Sequence, residues 1–174
     1  VKAFDKGPGM IHFAGHGSPA VWGNFLPDAE TEEEFVIGFT VFDIWKYSNG
    51  YHLPIVMIGG CHNAQFNVTM QYLTENNTDR IIHGWYFPYD TASLILLEQD
   101  GGSIASIGYT AYGYGYINEY CLNGLGGWIE PRFFYEYAVA GREYLGEVHS
   151  QTISDYISII GGVNSNLIDR KTIE

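Results

Sequence analysis

Basic residues are scarce in this chain: 8 Lys and Arg stand against 20 Asp and Glu, a formal net charge of −12 over 174 residues. Nucleic-acid binding relies on Lys and Arg neutralising phosphates, so nucleic acid is excluded as a partner. Cysteine is scarcer still: Cys61 and Cys121 are too few for a disulfide framework. No apolar run approaches the roughly 18 residues that a spanning helix needs, so no membrane span is expected. The first residues, Val1-Lys2-Ala3-Phe4-Asp5, carry no signal-peptide pattern, and no internal repeat or long linker interrupts the chain. Charged residues make up only 16% against 46% hydrophobic, which describes a globular chain long enough for a single domain over 1–174.

Aromatic residues are plentiful by contrast, with 14 Tyr and 4 Trp. Asn67-Val68-Thr69 and Asn76-Asn77-Thr78 fit the N-glycosylation acceptor pattern, and together with the low charge they lean towards an extracellular or cell-surface protein. Acidity gathers in Asp28-Ala29-Glu30-Thr31-Glu32-Glu33-Glu34. A solvated loop is the plain reading of that run, with structural calcium as the alternative, although the spacing is not that of an EF-hand.

Two apolar runs share one plan. Met10-Ile11-His12-Phe13-Ala14 ends on Gly15-His16-Gly17-Ser18-Pro19, and Pro54-Ile55-Val56-Met57-Ile58 ends on Gly59-Gly60-Cys61-His62-Asn63. Each reads as a buried strand that stops on glycine and a reactive side chain. Between them, Ala20 to Phe39 reads as a loop, and Thr40-Val41-Phe42-Asp43 has capping-box spacing for a helix over Val41–Tyr47 closed by Ser48-Asn49-Gly50. A strand, a helical crossover and a second strand make a parallel pair. Further on, Phe66 to Glu75 is weakly helical, Asp79 to Tyr86 is ambiguous, and Asp90 caps a helix over Thr91–Gln99. Ser103 to Gly108 is a third strand, and the Tyr- and Gly-rich segment from Tyr109 to Trp128 fits no helix pattern. Pro131 is placed in the first turn of a helix running to Val139. A last helix sets Leu145, Val148, Ile153, Tyr156, Ile157 and Ile160 towards the core, with Gly161-Gly162 stopping it and a tail from Asn164.

Parallel strands side by side bring both of their C-terminal edges together, and in open α/β sheets that edge binds ligands. His16 and Cys61 then face a common cleft. A cysteine nucleophile needs a thiolate, a histidine to take and return the proton, and backbone donors for an oxyanion. Gly17 leaves its own N–H uncovered, so it and the N–H of Cys61 form a candidate oxyanion hole.

Phe13-Ala14-Gly15-His16-Gly17-Ser18 and Ile58-Gly59-Gly60-Cys61-His62-Asn63 resemble the two signature blocks of the gingipain-type cysteine peptidases, family C25, of the caspase-like clan CD. Gly101-Gly102-Ser103-Ile104-Ala105-Ser106-Ile107-Gly108 resembles the family's next strand, and the similarity spans Gly9 to Glu174. The resemblance implies a caspase-like α/β/α sandwich with a mainly parallel sheet. It implies a cysteine endopeptidase in which Cys61 is the nucleophile and His16 the general acid/base, with an acyl-enzyme intermediate and no catalytic metal or cofactor. Protein or peptide would be the substrate, and Tyr109, Tyr112, Tyr114 and Tyr116 are the substrate-binding candidates. No residue matches the acid that shapes a basic pocket in gingipains. The chain looks like the core part of a catalytic domain, truncated at both ends, from a parent with additional domains.

Three other readings stay open. The Tyr/Gly-rich loop could make an inactive module that binds peptide or carbohydrate; His12, His16, Cys61, His62 and His83 could hold a metal; and Cys61 could pair with Cys121.

Overall fold

The computed structural model describes residues 2–26, 34–67, 90–160 and 172. Most of the acidic run, most of the expected helix over Phe66–Glu75, the segment Asp79–Tyr86 with His83, the acceptor at Asn76 and most of the tail from Asn164 lie outside the described residues. The chain divides into two compact units, Val1–Tyr112 and Gly113–Glu174.

In the first unit the apolar runs form the parallel sheet that their composition predicts. Strands β1 (Met10–Ala14), β5 (Ile55–Gly59) and β6 (Ala105–Gly108) pair in the order β1-β5-β6. Both pairings are parallel, with Met10 opposite Ile55 and Ala14 opposite Gly59, and Ile55 opposite Ala105. The central strand is the most apolar, and Val56, Met57 and Ile58 are buried there. Each such side chain removed from water contributes about 1.5–3 kcal/mol. Helix α2 (Thr91–Leu97) packs on β6 and adds Ala92, Leu94 and Ile95 to the core. Its predicted cap is present: Asp90 accepts hydrogen bonds from the Ser93 N–H at 2.9 Å and the Ser93 hydroxyl at 2.6 Å. The helix stops two residues before the expected Gln99.

The stretch from Ala20 to Phe39, expected to be a loop, instead carries two strands. β2 (His16–Ser18), β3 (Val21–Phe25) and β4 (Phe35–Thr40) form an antiparallel sheet in that order. Pro19-Ala20 makes the tight turn, and the sheet is held by aromatic packing of Phe13, Trp22 and Phe39, with ring centroids 4.9 to 5.7 Å apart. Gly23 and Asn24 interrupt the strand pattern in the sequence. In the structure a register shift sits between Trp22 and Gly23, where the β4 backbone passes so close that a Cβ on Gly23 would overlap it.

Helix α1 (Val41–Ile44) has the expected capping box, in which Asp43 Oδ2 accepts from the Thr40 N–H at 2.9 Å and the Thr40 hydroxyl at 3.0 Å. It is shorter than the predicted Val41–Tyr47. The N–H groups of Lys46 and Tyr47 turn back to Asp43 and Ile44, closing the last turn on three-residue bonds instead of continuing the helix. Asn49, buried, then ties this segment to the approach to β6 by accepting from the Gly102 N–H at 2.8 Å and donating to the Gly102 carbonyl at 3.0 Å.

The second unit pairs helices α3 (Leu125–Ala138) and α4 (Leu145–Ile159). The start of α3 departs from expectation, because Pro131 lies inside the helix, which begins at Leu125 and runs through Gly126 and Gly127. Tertiary partners outweigh the poor propensity: the Tyr156 hydroxyl accepts from the Leu125 N–H at 2.8 Å, and the Tyr114 carbonyl accepts from the Gly126 N–H at 2.9 Å. On α4, Val148 and Tyr156 are buried as expected, but Ile157 is exposed and Thr152 takes an inward place, its hydroxyl bonded to the Val148 carbonyl at 2.8 Å. Arg132 joins the two helices through Asp155 (2.5 Å) and also pairs with buried Glu136 (2.8 Å), which Arg142 holds from the other side at 2.7 Å.

Candidate active site

The predicted neighbourhood of the two strand ends is realised, since β1 and β5 are hydrogen-bonded neighbours and run the same way. His16 follows β1 after the single residue Gly15 and opens β2 opposite Gly23. Its imidazole is exposed and meets Phe25 edge-on, with centroids 5.0 Å apart, and Phe35 at 6.4 Å. Neither phenylalanine was picked out by sequence, because β3 and β4 were not expected. Cys61 begins a turn two residues beyond the end of β5, after Gly60, and is half-buried. Both cysteines are thiols, so the pairing of Cys61 with Cys121 is not made.

Glycine brings the two segments into backbone contact. A Cβ on Gly60 would stand 3.0 Å from both the nitrogen and the Cα of Gly17. That approach sets the main chain beside His16 against the main chain beside Cys61. Glycine at 60 leaves room for the Gly17 backbone, and glycine at 17 leaves room for the Asn63 side chain.

The turn at Cys61 is gripped on two sides. Towards β6, the His62 N–H donates to the Ala111 carbonyl at 2.7 Å and the Ala64 N–H to the Tyr109 carbonyl at 3.0 Å. Towards β2 and β3, the fully buried Asn63 donates from Nδ2 to the Ser18 carbonyl at 2.6 Å and the Val21 carbonyl at 3.1 Å. The backbone of His62 takes a left-handed conformation at φ 58°, uncommon for a residue with a Cβ and a feature that gathers at functional sites. Its ring meets Tyr112 edge-on at 4.6 Å. Burial holds its pKa below the ordinary histidine value.

The four candidate tyrosines are divided between the two units. Tyr109 and Tyr112 belong to the first unit, where one receives the Cys61 turn on its carbonyl and the other lies against His62. Tyr114 and Tyr116 belong to the second, where Tyr114 caps α3 and Tyr116 lines an open cavity of about 480 Å³ with Ile117, Tyr120 and Asn123. No group of three His, Cys, Asp or Glu side chains comes together as a metal site among the described residues. None of their helices is long and apolar enough to cross a membrane.

Known proteins bear on this arrangement. The model of peptidase family C25 matches residues 1–172, and so covers both units. The crystal structure of the Arg-specific cysteine proteinase gingipain R superposes with a TM-score of 0.64 at 16% sequence identity, over 99% of this chain and 32% of that one. At this identity the likeness is one of fold: a caspase-like α/β arrangement whose main sheet is parallel. The chain spans about a third of the length of that structure. No curated protein matches the sequence.

Proposed function

Since the chain belongs to peptidase family C25, we propose that it is a cysteine endopeptidase working through Cys61 and His16. The observation that carries this reading is the contact between Gly17 and Gly60, which sets a His-Gly strand against a Gly-Cys turn. In the proposed reaction His16 takes the thiol proton and the Cys61 thiolate attacks the peptide carbonyl carbon. The carbonyl oxygen gains negative charge and is met by the N–H groups of Gly17 and Cys61. The C–N bond then breaks as His16 gives its proton to the leaving amine, which leaves a thioester on Cys61. Water, deprotonated by His16, attacks the thioester and releases the acid and the thiol. These steps use no metal or organic cofactor.

Tyr109 and Tyr112, beside the Cys61 turn, are substrate contacts in this reading, and Tyr114 and Tyr116 are kept as further candidates. Arginine specificity is a property of the matched proteinase, and no acidic residue in this chain has been matched to it. The acceptor sequences and low charge fit an extracellular or cell-surface setting, within a parent that carries additional domains. A second reading, in which the loop binds peptide or carbohydrate without turnover, draws on the open cavity at Tyr116 and Tyr120.

Labelling by iodoacetamide tests the dyad. Cys61 should react faster than the exposed Cys121, and His16→Ala should slow Cys61 alone. Equal rates at the two cysteines, unchanged by His16→Ala, would defeat the proposal. Turnover on peptides varied at the first-site residue separates the enzyme from the binding module, which would retain peptide affinity in Cys61→Ala while the wild type cleaves nothing.

A further inference from the structure

We propose that Asn63 is the positioning residue that holds the His16-Gly17 strand against the Cys61 turn, an inference that rests on reading His16 and Cys61 as the dyad. Asn63 stands two positions after Cys61 and is fully buried. A primary amide in such a place is costly unless it is bonded, so its bonds indicate what it is kept for. Both Nδ2 hydrogens go to the β2–β3 hairpin, to the carbonyls of Ser18 at 2.6 Å and Val21 at 3.1 Å, which flank the Pro19-Ala20 turn. The Thr91 hydroxyl lies 3.4 Å from the same nitrogen.

Thr91 completes the clamp. Its N–H and its hydroxyl both donate to the Pro19 carbonyl, at 2.8 and 2.9 Å. The Asn63 carbonyl accepts from the next residue of α2, the Ala92 N–H, at 3.0 Å. The hairpin that begins at His16 is thus fastened from the Cys61 turn and from the first turn of α2, and Asn63 belongs to both fastenings.

The other end of the amide explains the glycines. Asn63 Oδ1 has no hydrogen-bond donor among the described residues, and it fills the space that a Cβ on Gly17 or on Gly60 would occupy. A residue selected only to stabilise the core would not leave a buried acceptor unmatched. Here the nitrogen ties the hairpin while the oxygen sits between the two glycines that bring the backbones together. Other side chains fail in distinct ways. Aspartate would turn a carboxylate oxygen onto the carbonyls of Ser18 and Val21, and alanine would make no bond to them.

The test reads the pH dependence of Cys61 alkylation by iodoacetamide in the 174-residue chain, with far-UV circular dichroism and urea unfolding confirming that each variant is folded. Wild type and His16→Ala set the two limits. Asn63→Ala and Asn63→Asp should move the profile towards that of His16→Ala and slow alkylation near neutral pH on the order of 10- to 100-fold, the scale of a catalytic group displaced by about 1 Å. A purely structural asparagine would lower stability and leave the profile of the folded protein in place. If Asn63→Ala does not fold, Asn63→Asp, which keeps the volume and turns an oxygen onto the two carbonyls, decides: a profile displaced towards His16→Ala supports the proposal, and a wild-type profile overturns it. A wild-type profile in folded Asn63→Ala, with His16→Ala displaced, overturns this inference and leaves the dyad standing. Identical profiles for wild type and His16→Ala bring down the dyad, and the role of Asn63 with it.

Discussion

The backbone nitrogen of Gly17 lies where a Cβ on Gly60 would reach it at 3.0 Å, and Asn63 Oδ1 fills the remaining space. Gly60→Ala must therefore displace the Asn63 amide and crowd the backbone of Gly17. We expect a loss of about 1–3 kcal/mol in stability, typical of overpacking, together with slower Cys61 alkylation. Gly9→Ala is the matched control, because nothing lies within 4 Å of the added methyl and Gly9 is exposed. Its urea midpoint and labelling rate should equal those of the wild type.

Tyr156→Phe removes the hydroxyl that accepts from the Leu125 N–H and leaves that donor buried with its partner gone. The expected cost is about 1–3 kcal/mol, the penalty for stranding a buried polar group. Urea denaturation followed by circular dichroism reads it, and a variant as stable as wild type would show that α3 does not depend on this cap.

Arg132→Met breaks the link from α3 to Asp155 and takes one of two cations from Glu136. Arg142 still holds the buried carboxylate, so the loss should fall at the lower end of the range for a broken buried ion pair, about 3 kcal/mol. Adding Arg142→Met to Arg132→Met should deepen that loss, because the buried Glu136 carboxylate is then left with neither cation. A double variant as stable as Arg132→Met would contradict this account.

Asp43 gives a pH prediction. The Lys46 ammonium bonded to it, and then the Thr40 N–H, bring its pKa from 3.8 down to about 2. A depressed carboxylate stabilises the fold fully above the unfolded value and loses that contribution as pH falls through the folded one. Asp43→Asn should accordingly be less stable than wild type at pH 5, and the gap should narrow steadily towards pH 2. The Lys46 pair is exposed, so most of the effect belongs to the cap, which is worth about 1 kcal/mol. A gap independent of pH would assign it to geometry and not to charge.

What the sequence announced and what it concealed follow from the range of the forces involved. β1, β5 and the caps at Thr40 and Asp90 were legible because each is written in neighbouring residues: an unbroken apolar run, or an acid three positions from its partner. β3 and β4 were not, since Gly23 and Asn24 break the strand pattern and Trp22 and Phe39 find each other only in the folded sheet. Pro131 pointed to the wrong helix start because the true start is held by Tyr114 and Tyr156. The same division runs through the site. His16, Gly17 and Cys61 stood out as short motifs, whereas Asn63 acts through the carbonyls of Ser18 and Val21, which carry no side-chain signature.

The register of Met10 on Ile55 and Ile55 on Ala105 has a further consequence, for synthesis. Parallel neighbours so far apart along the chain make this a sheet of high contact order, one that closes late and slowly. While the ribosome is still delivering β5, the imidazole-bearing segment has no strand to dock on and the thiol is an ordinary cysteine. In the proposed enzyme, reactivity would therefore await completion of the sheet.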